Sequence, residues 1–266
     1  MLGFNGGLMG VRRTPTTSTA SGLWLPNEQS VAKRAAIWPI NFGTTDPTPS
    51  LSPVLWYDFS DESTVTTSGT EVTAVTSKGS RSWTLTRSST GPEYVTGINS
   101  RKCLDWGSTS HARSLRNTST TSTSIHEVYF VLDASFGSTF PSSNGLISAT
   151  SSGYLLGANS GGAGFWPYSN LPSWLFDSAF INGSSSNVYD SAILPTINSP
   201  SLLRVTRTTG ALTATDGFLV GGDRDLSGRG WLGLIGEIIV FSAPLSSDNR
   251  SSLHVWLASK WGITLV

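Results

Sequence analysis

The sequence predicts an all-β fold: an antiparallel sandwich with one short C-terminal helix and an extended N-terminal arm. Three observations carry that expectation. Beyond residue 50, apolar residues alternate with polar ones in runs of about six to eight, each bounded by Gly, Pro, Asn or Ser. Gly 28, Trp 10 and Phe 11 in 266 residues, with dense Ser and Thr, favour short strands joined by many turns. Many strands without intervening helices close into a sandwich or a barrel.

The elements follow in chain order. Residues 1–20 run from a Gly-rich start through Arg12 and Arg13 into a Thr/Ser tract, with too little apolar content to bury itself; an extended arm is expected. Residues 22–39 read GLWLPNEQSVAKRAAIWP, where Pro26 opens a short helix, Ala32, Ala35 and Ala36 continue it, and Pro39 forbids extension. Trp24 and Trp38 bracket this helix. With Leu25, Val31 and Ile37 they present more apolar surface than a marginal helix of roughly ten residues can hide, so the segment needs cover from its own domain or from a partner. A Pro-rich linker over residues 46–53 marks a boundary. The expected division is therefore residues 1–49 for docking and residues 50–266 for the sandwich.

Within the second part the clearest strands are residues 54–59, 127–133, 202–208, 218–221 and 235–241. In the last, Ile235, Ile239 and Phe241 share one face with Glu237, while Ile238 and Val240 fill the other, so this strand is expected to be covered on both sides. A helix closes the chain. Ser246 or Ser247 caps it, Asp248 sits in its first turn, Leu253, Trp256, Leu257 and Trp261 fall on one face, and Gly262 stops it.

Composition narrows the function classes. Charged residues make up only 13% of the chain, 17 basic against 17 acidic, which leaves no long-range field to attract a polyanion or an anionic membrane. Neither nucleic acid nor membrane is expected as a partner. Cys103 is the only cysteine, so stability must come from packing and not from an intrachain disulfide. No basic residue precedes the first apolar ones, and the stretch before Arg12 is too short to span a bilayer; neither signal peptide nor membrane anchor is expected.

Two segments at the ends of the expected sandwich carry a resemblance. LWYDFSDESTVTTSGTEVTAVTSKG at residues 55–79 and GEIIVFSAPLSSDNRSSLHVWLASKWGI at residues 236–263, with PEYVTGINSRKCLDW at residues 92–106 between them, resemble the concanavalin A-like, laminin G-like jelly rolls of phage structural proteins and bacterial surface proteins. The strand, Pro turn, Leu-Ser cap and helix ending in Lys-Trp-Gly are the more specific part. The block at residues 22–39 resembles a short segment, Gly-x-Trp, then Glu-Gln, then Trp-Pro, of phage tail-fibre and appendage proteins. Together the resemblances imply a jelly roll in a virion protein, on capsid or tail, joined to other virion proteins through its arm. They also imply a homo-oligomer, with a trimer favoured. Fold alone implies no ligand.

Candidate chemistry is sparse. GRGWLG at residues 228–233 fits G-x-G-x-x-G, but a strand and not a helix follows, so a loop is the better reading than nucleotide binding. DRDLSG at residues 223–228 begins like a calcium loop, with Asp223 and Asp225 as candidate ligands, yet the bidentate acid is missing; a solvated turn is the plain alternative. No cofactor is otherwise expected. Glycoside hydrolysis requires two carboxylates about 5 to 10 Å apart across a cleft. Glu237 stands alone in its strand, Asp58, Asp61 and Glu62 cluster at a strand end, and no G-x-S-x-G or spaced histidine set is present, so no catalytic residue is expected. His254 reads as a surface or packing residue, and Cys103 as a small buried hydrophobe. In FWPYSNLPSWLF at residues 165–176, Trp166, Tyr168 and Trp174 are expected on a loop. They either pack in the core, seal a subunit interface or stack on a host glycan, and Trp231 beside Arg229 has the same alternatives. The reading is a non-enzymatic virion protein; a carbohydrate-binding adhesin module is the alternative.

Overall fold

Alternation along the sequence becomes strand pairing in a computed structural model, which describes residues 46–107, 113–117, 123–137, 144–149, 153–158, 165–166, 176, 178–186, 194–207, 212–214, 218–222 and 229–266. The chain divides into two units, Met1–Asp46 and Pro47–Val266. Of the first, only Asp46 is among the described residues, so the expected arm and its helix lie outside them.

The second unit opens on one helical turn, α1 (Thr48–Leu51), where the linker was expected. Strands then follow: β1 (Leu55–Asp58), β2 (Val65–Ser68), β3 (Glu71–Thr76), β4 (Thr84–Arg87), β5 (Glu93–Thr96), β6 (Lys102–Asp105), β7 (Leu115–Asn117), β8 (Thr123–Ile125) and β9 (Glu127–Ala134). The middle of the chain adds β10 (Asn144–Ala149), β11 (Gly153–Ala158), β12 (Phe165–Trp166), β13 (Ser178–Ile181) and β14 (Ser184–Ser186). A turn, α2 (Leu194–Ile197), precedes β15 (Ser201–Thr206), β16 (Leu212–Ala214), β17 (Phe218–Val220) and β18 (Gly233–Phe241), and α3 (Ser247–Trp261) closes the chain.

All pairings between these strands are antiparallel, in the order β12-β11-β10-β17-β7-β4-β3-β5-β6-β18-β9-β15-β13-β14, with β1 beside β18 and β2 beside β3. β16 and β8 form a separate ribbon. Strands far apart in that order nevertheless share one core. Tyr57 of β1 stacks on Phe218 of β17 with ring centroids 6.4 Å apart, and Val75, Leu85, Leu115 and Val220 pack into the same cluster as Phe130, Leu203, Ile238 and Val240. The sheet therefore lies over itself, as a sandwich does, because each pleated strand has one apolar row to bury.

A smaller cluster lies on the outer face, where α3 sets Leu253, Leu257, Ala258 and Trp261 against Trp56, Tyr129, Val131, Leu202, Ile239 and Phe241. β18 is thus covered on both faces, but its rows differ from strict alternation. Ile235 belongs with Ile238 and Val240 in the sandwich core, not with Ile239 and Phe241. The cause is a bulge between Ile235 and Glu237 opposite β9, which inserts Gly236 and reverses the facing of everything before it. Gly236 also lets α3 approach, since a Cβ there would stand 2.7 Å from the Trp261 ring.

Candidate functional site

Covering the outer face with α3 forces two carboxylates of the strands out of water, and each must find donors there. Alternation from Trp56 puts Asp58 on the same side of β1, and the register sets Asp58 directly opposite Glu237 of β18. Glu237 is 1% exposed, and Asp58 is also buried. Three donors saturate Glu237: the Trp56 indole N–H at 2.7 Å, the Trp261 indole N–H at 2.7 Å and Lys260 Nζ at 2.8 Å. The same ammonium lies 2.8 Å from Asp58 Oδ1. Lys78 completes the group, 3.4 Å from Asp58 and 3.0 Å from Asp61, with its Nζ 4.1 Å above the Trp56 ring. Ser60 donates through its hydroxyl to Asp58 at 2.7 Å.

The two paired acids are driven in opposite directions. Burial, aided by the Asp58 charge, raises Glu237 above the usual carboxylate range in spite of Lys260. For Asp58 burial pushes upward too, but Lys260, Ser60 and Lys78 together pull its pKa below the usual carboxylate range.

A second cluster pins the start of α3. Glu127, fully buried at the head of β9, accepts from the Tyr129 hydroxyl at 2.7 Å, from Arg204 at 3.3 Å, from Arg250 Nε at 3.0 Å and from the Leu245 backbone N–H at 3.2 Å. His254, half-buried on the helix, meets the Tyr129 ring edge-on at 5.4 Å. Burial and the Arg204 charge push His254 down to about 4, so it packs as a neutral ring.

Residues singled out by sequence scatter differently. Trp231 is completely enclosed and meets Phe136 edge-on with centroids 4.9 Å apart. It is a core residue and offers no face to a sugar or a subunit, because the segment before β18 runs inward: its N–H donates to the Gly221 carbonyl at 3.0 Å. Arg229 is half-buried beside it, its carbonyl accepting from Gly145. Trp166 is not on a loop but in β12, where its backbone pairs with Gly157 of β11. Phe176, from the same stretch, is in the core. Trp24, Leu25, Val31, Ile37, Trp38, Tyr168, Trp174, Asp223 and Asp225 lie outside the described residues. Cys103 is buried in β6.

Glu237 does not stand alone. Trp56, Lys260 and Trp261 were missed as its partners, and Asp58 as its neighbour across the strand pair, although an acid inside the apolar run IGEIIVF is itself a signal that a cation must meet it. What the pair can do chemically is limited by access. Lys260 fills the space between the carboxylates and two indoles wall them in, so no cleft for a sugar separates them. Among the described residues no group of three His, Cys, Asp or Glu side chains could hold a metal, and no helix is long and apolar enough to cross a membrane. Compared with known proteins, the chain matches no family model, no curated protein and no solved structure.

Proposed function

We propose that this chain is a non-enzymatic structural protein of a phage virion. In this reading residues 1–49 dock on other virion proteins, and residues 50–266, an antiparallel jelly roll, face outward from the capsid or tail as a homotrimer. The observation that carries it is the use made of the buried acids. Asp58, Glu127 and Glu237 are each closed off by cations, indoles or backbone and bind α3 to the sheet. Such groups face one another and hold a shape, whereas the acid–base pair of an enzyme must face an external substrate. The low charge and Ser/Thr-rich composition suit an outward, uncharged polar surface.

Docking follows the logic of a short helix that orders on contact, with Trp24 and Trp38 as anchors and Leu25, Val31 and Ile37 filling between them. Removing residues 1–39 should leave a soluble, folded sandwich that no longer joins particles. Retained incorporation would reject the arm as the anchor.

The aromatic stretch of residues 165–176 favours a second reading, a lectin-like module that takes host surface glycans on Trp166, Tyr168 and Trp174. A glycan array with and without calcium, the latter to include Asp223 and Asp225, separates the two. Binding of a defined sugar supports the adhesin, and silence in both conditions leaves the structural role.

A further inference from the structure

We propose that Lys260 and Asp58 become joined by an intramolecular isopeptide bond, with Glu237 as the catalytic acid–base. Lys260 Nζ stands 2.8 Å from Asp58 Oδ1 and 2.8 Å from Glu237 Oε2, so amine, carboxyl and proton carrier are all within proton-transfer reach. The main chain fixes their positions. Asp58 and Glu237 are opposite residues of paired strands, and Lys260 enters from the last turn of α3. Groups held this way react as though at effective concentrations of about 10⁵ M or more.

The surroundings favour the chemistry over a simple ion pair. Trp56 and Trp261 wall the site and fix the Glu237 carboxyl through their indole N–H groups, and Lys260 Nζ lies 5.0 Å from the Trp256 ring centroid. Burial raises Glu237, which suits it to carry a proton. Asp58 is held low against the push of burial by Lys260, Ser60 and Lys78, so it enters as the carboxylate and Glu237 must deliver the proton it needs.

The step balances. Glu237 takes a proton from the Lys260 ammonium, and the freed lone pair attacks Asp58 Cγ to form the C–N bond. The carboxyl π electrons move onto oxygen, which Glu237 protonates. A second proton passes from nitrogen through Glu237 to that oxygen, the C–O bond breaks, and its electron pair leaves with the oxygen as water. Ammonium and carboxylate have become one amide and one water, Glu237 returns to its starting state, and no co-reactant is consumed. The bond ties β1, the first strand of the sandwich, to α3, the last element, and restricts the unfolded chain as a cross-link does.

The test is the intact mass of the full chain under denaturing conditions, followed by tryptic mapping. The expected mass falls short of the summed residues by one water, the peptide containing Lys260 is joined to that containing Asp58, and trypsin does not cut after Lys260. A full mass with cleavage after Lys260 overturns the proposal, and so does a missing water without the joined peptide. Lys78, also within reach of Asp58, is the control: Lys78→Ala should retain the bond, and a joined peptide running through Lys78 contradicts the assignment. Glu237→Gln, checked for native circular dichroism, should restore the full mass; a folded Glu237→Gln chain that still carries the bond removes Glu237 from its role. Should that variant not fold, Glu237→Asp retains the carboxyl while shortening its reach, and freshly made protein should then show loss of the joined peptide. An undiminished yield would again count against Glu237.

Discussion

Glu127 and Glu237 occupy strand positions where the alternation calls for an apolar side chain, and the structure answers each with cations brought by α3. A buried acid of this kind contributes little net stability as a pair, but removing one partner strands the other. Glu127→Ala leaves the nearly buried Arg204 and the Tyr129 hydroxyl uncompensated and should lower the unfolding free energy in urea by about 3–5 kcal/mol. Arg250→Ala, on the more exposed side of the same cluster, should cost clearly less. Equal losses would show that burial does not set the scale.

His254 gives a pH signature. Its folded-state value of about 4 lies below the ordinary 6.5, so between these values the unfolded chain binds the proton that the folded chain refuses. The contribution is therefore present above pH 6.5 and is lost as pH falls toward 4. Tyr129 and Glu127 of β9, Arg204 of β15 and Arg250 of α3 surround the ring and stay the same in His254→Gln. Urea midpoints of wild type measured relative to that variant should decline from pH 6.5 to 4; a flat difference would mean that His254 titrates normally.

At the scale of elements, α3 was legible in full. Ser246 accepts from the Asn249 N–H, Asp248 lies in the first turn, and Gly262 ends the helix in the left-handed region at φ 65°, as the cap residues announce. The strand over residues 54–59 and those over 127–133, 202–208, 218–221 and 235–241 were visible because large apolar and aromatic side chains dominate them. The Gly-rich β11 and the Ser-only β14 were not, since small side chains erase the alternation that marks a strand. The bulge at Gly236 was equally hidden, because a register shift depends on the partner strand and leaves no pattern in its own. Its consequence is testable. Gly236→Ala drives a methyl into the indole of Trp261, which Glu237 holds by its N–H, and should destabilise by about 1–3 kcal/mol. Ser246→Ala should cost about 1 kcal/mol through the lost cap. Urea unfolding checks both, and a neutral Gly236→Ala would mean that the helix can retreat from β18.

For the whole molecule, the sheet order shows why the candidate site was only half legible. Asp58 and Glu237 sit near opposite ends of the second unit and meet because β1, an early strand, pairs with β18, a late one. Non-local pairing of this sort leaves no local sequence signal, so the acids could be named but not brought together. Trp231 was open between core, interface and glycan platform by its sequence context, and long-range packing turns it into the core. With Asp58, Glu127 and Glu237 facing inward, the buried acids of the second unit are turned away from any external substrate, and the proposed function places recognition in the first 49 residues. The most direct measurement is to label this chain in purified virions and image them. The account predicts a regular signal at fixed positions on capsid or tail; a chain found free in the lysate and absent from intact particles would contradict it.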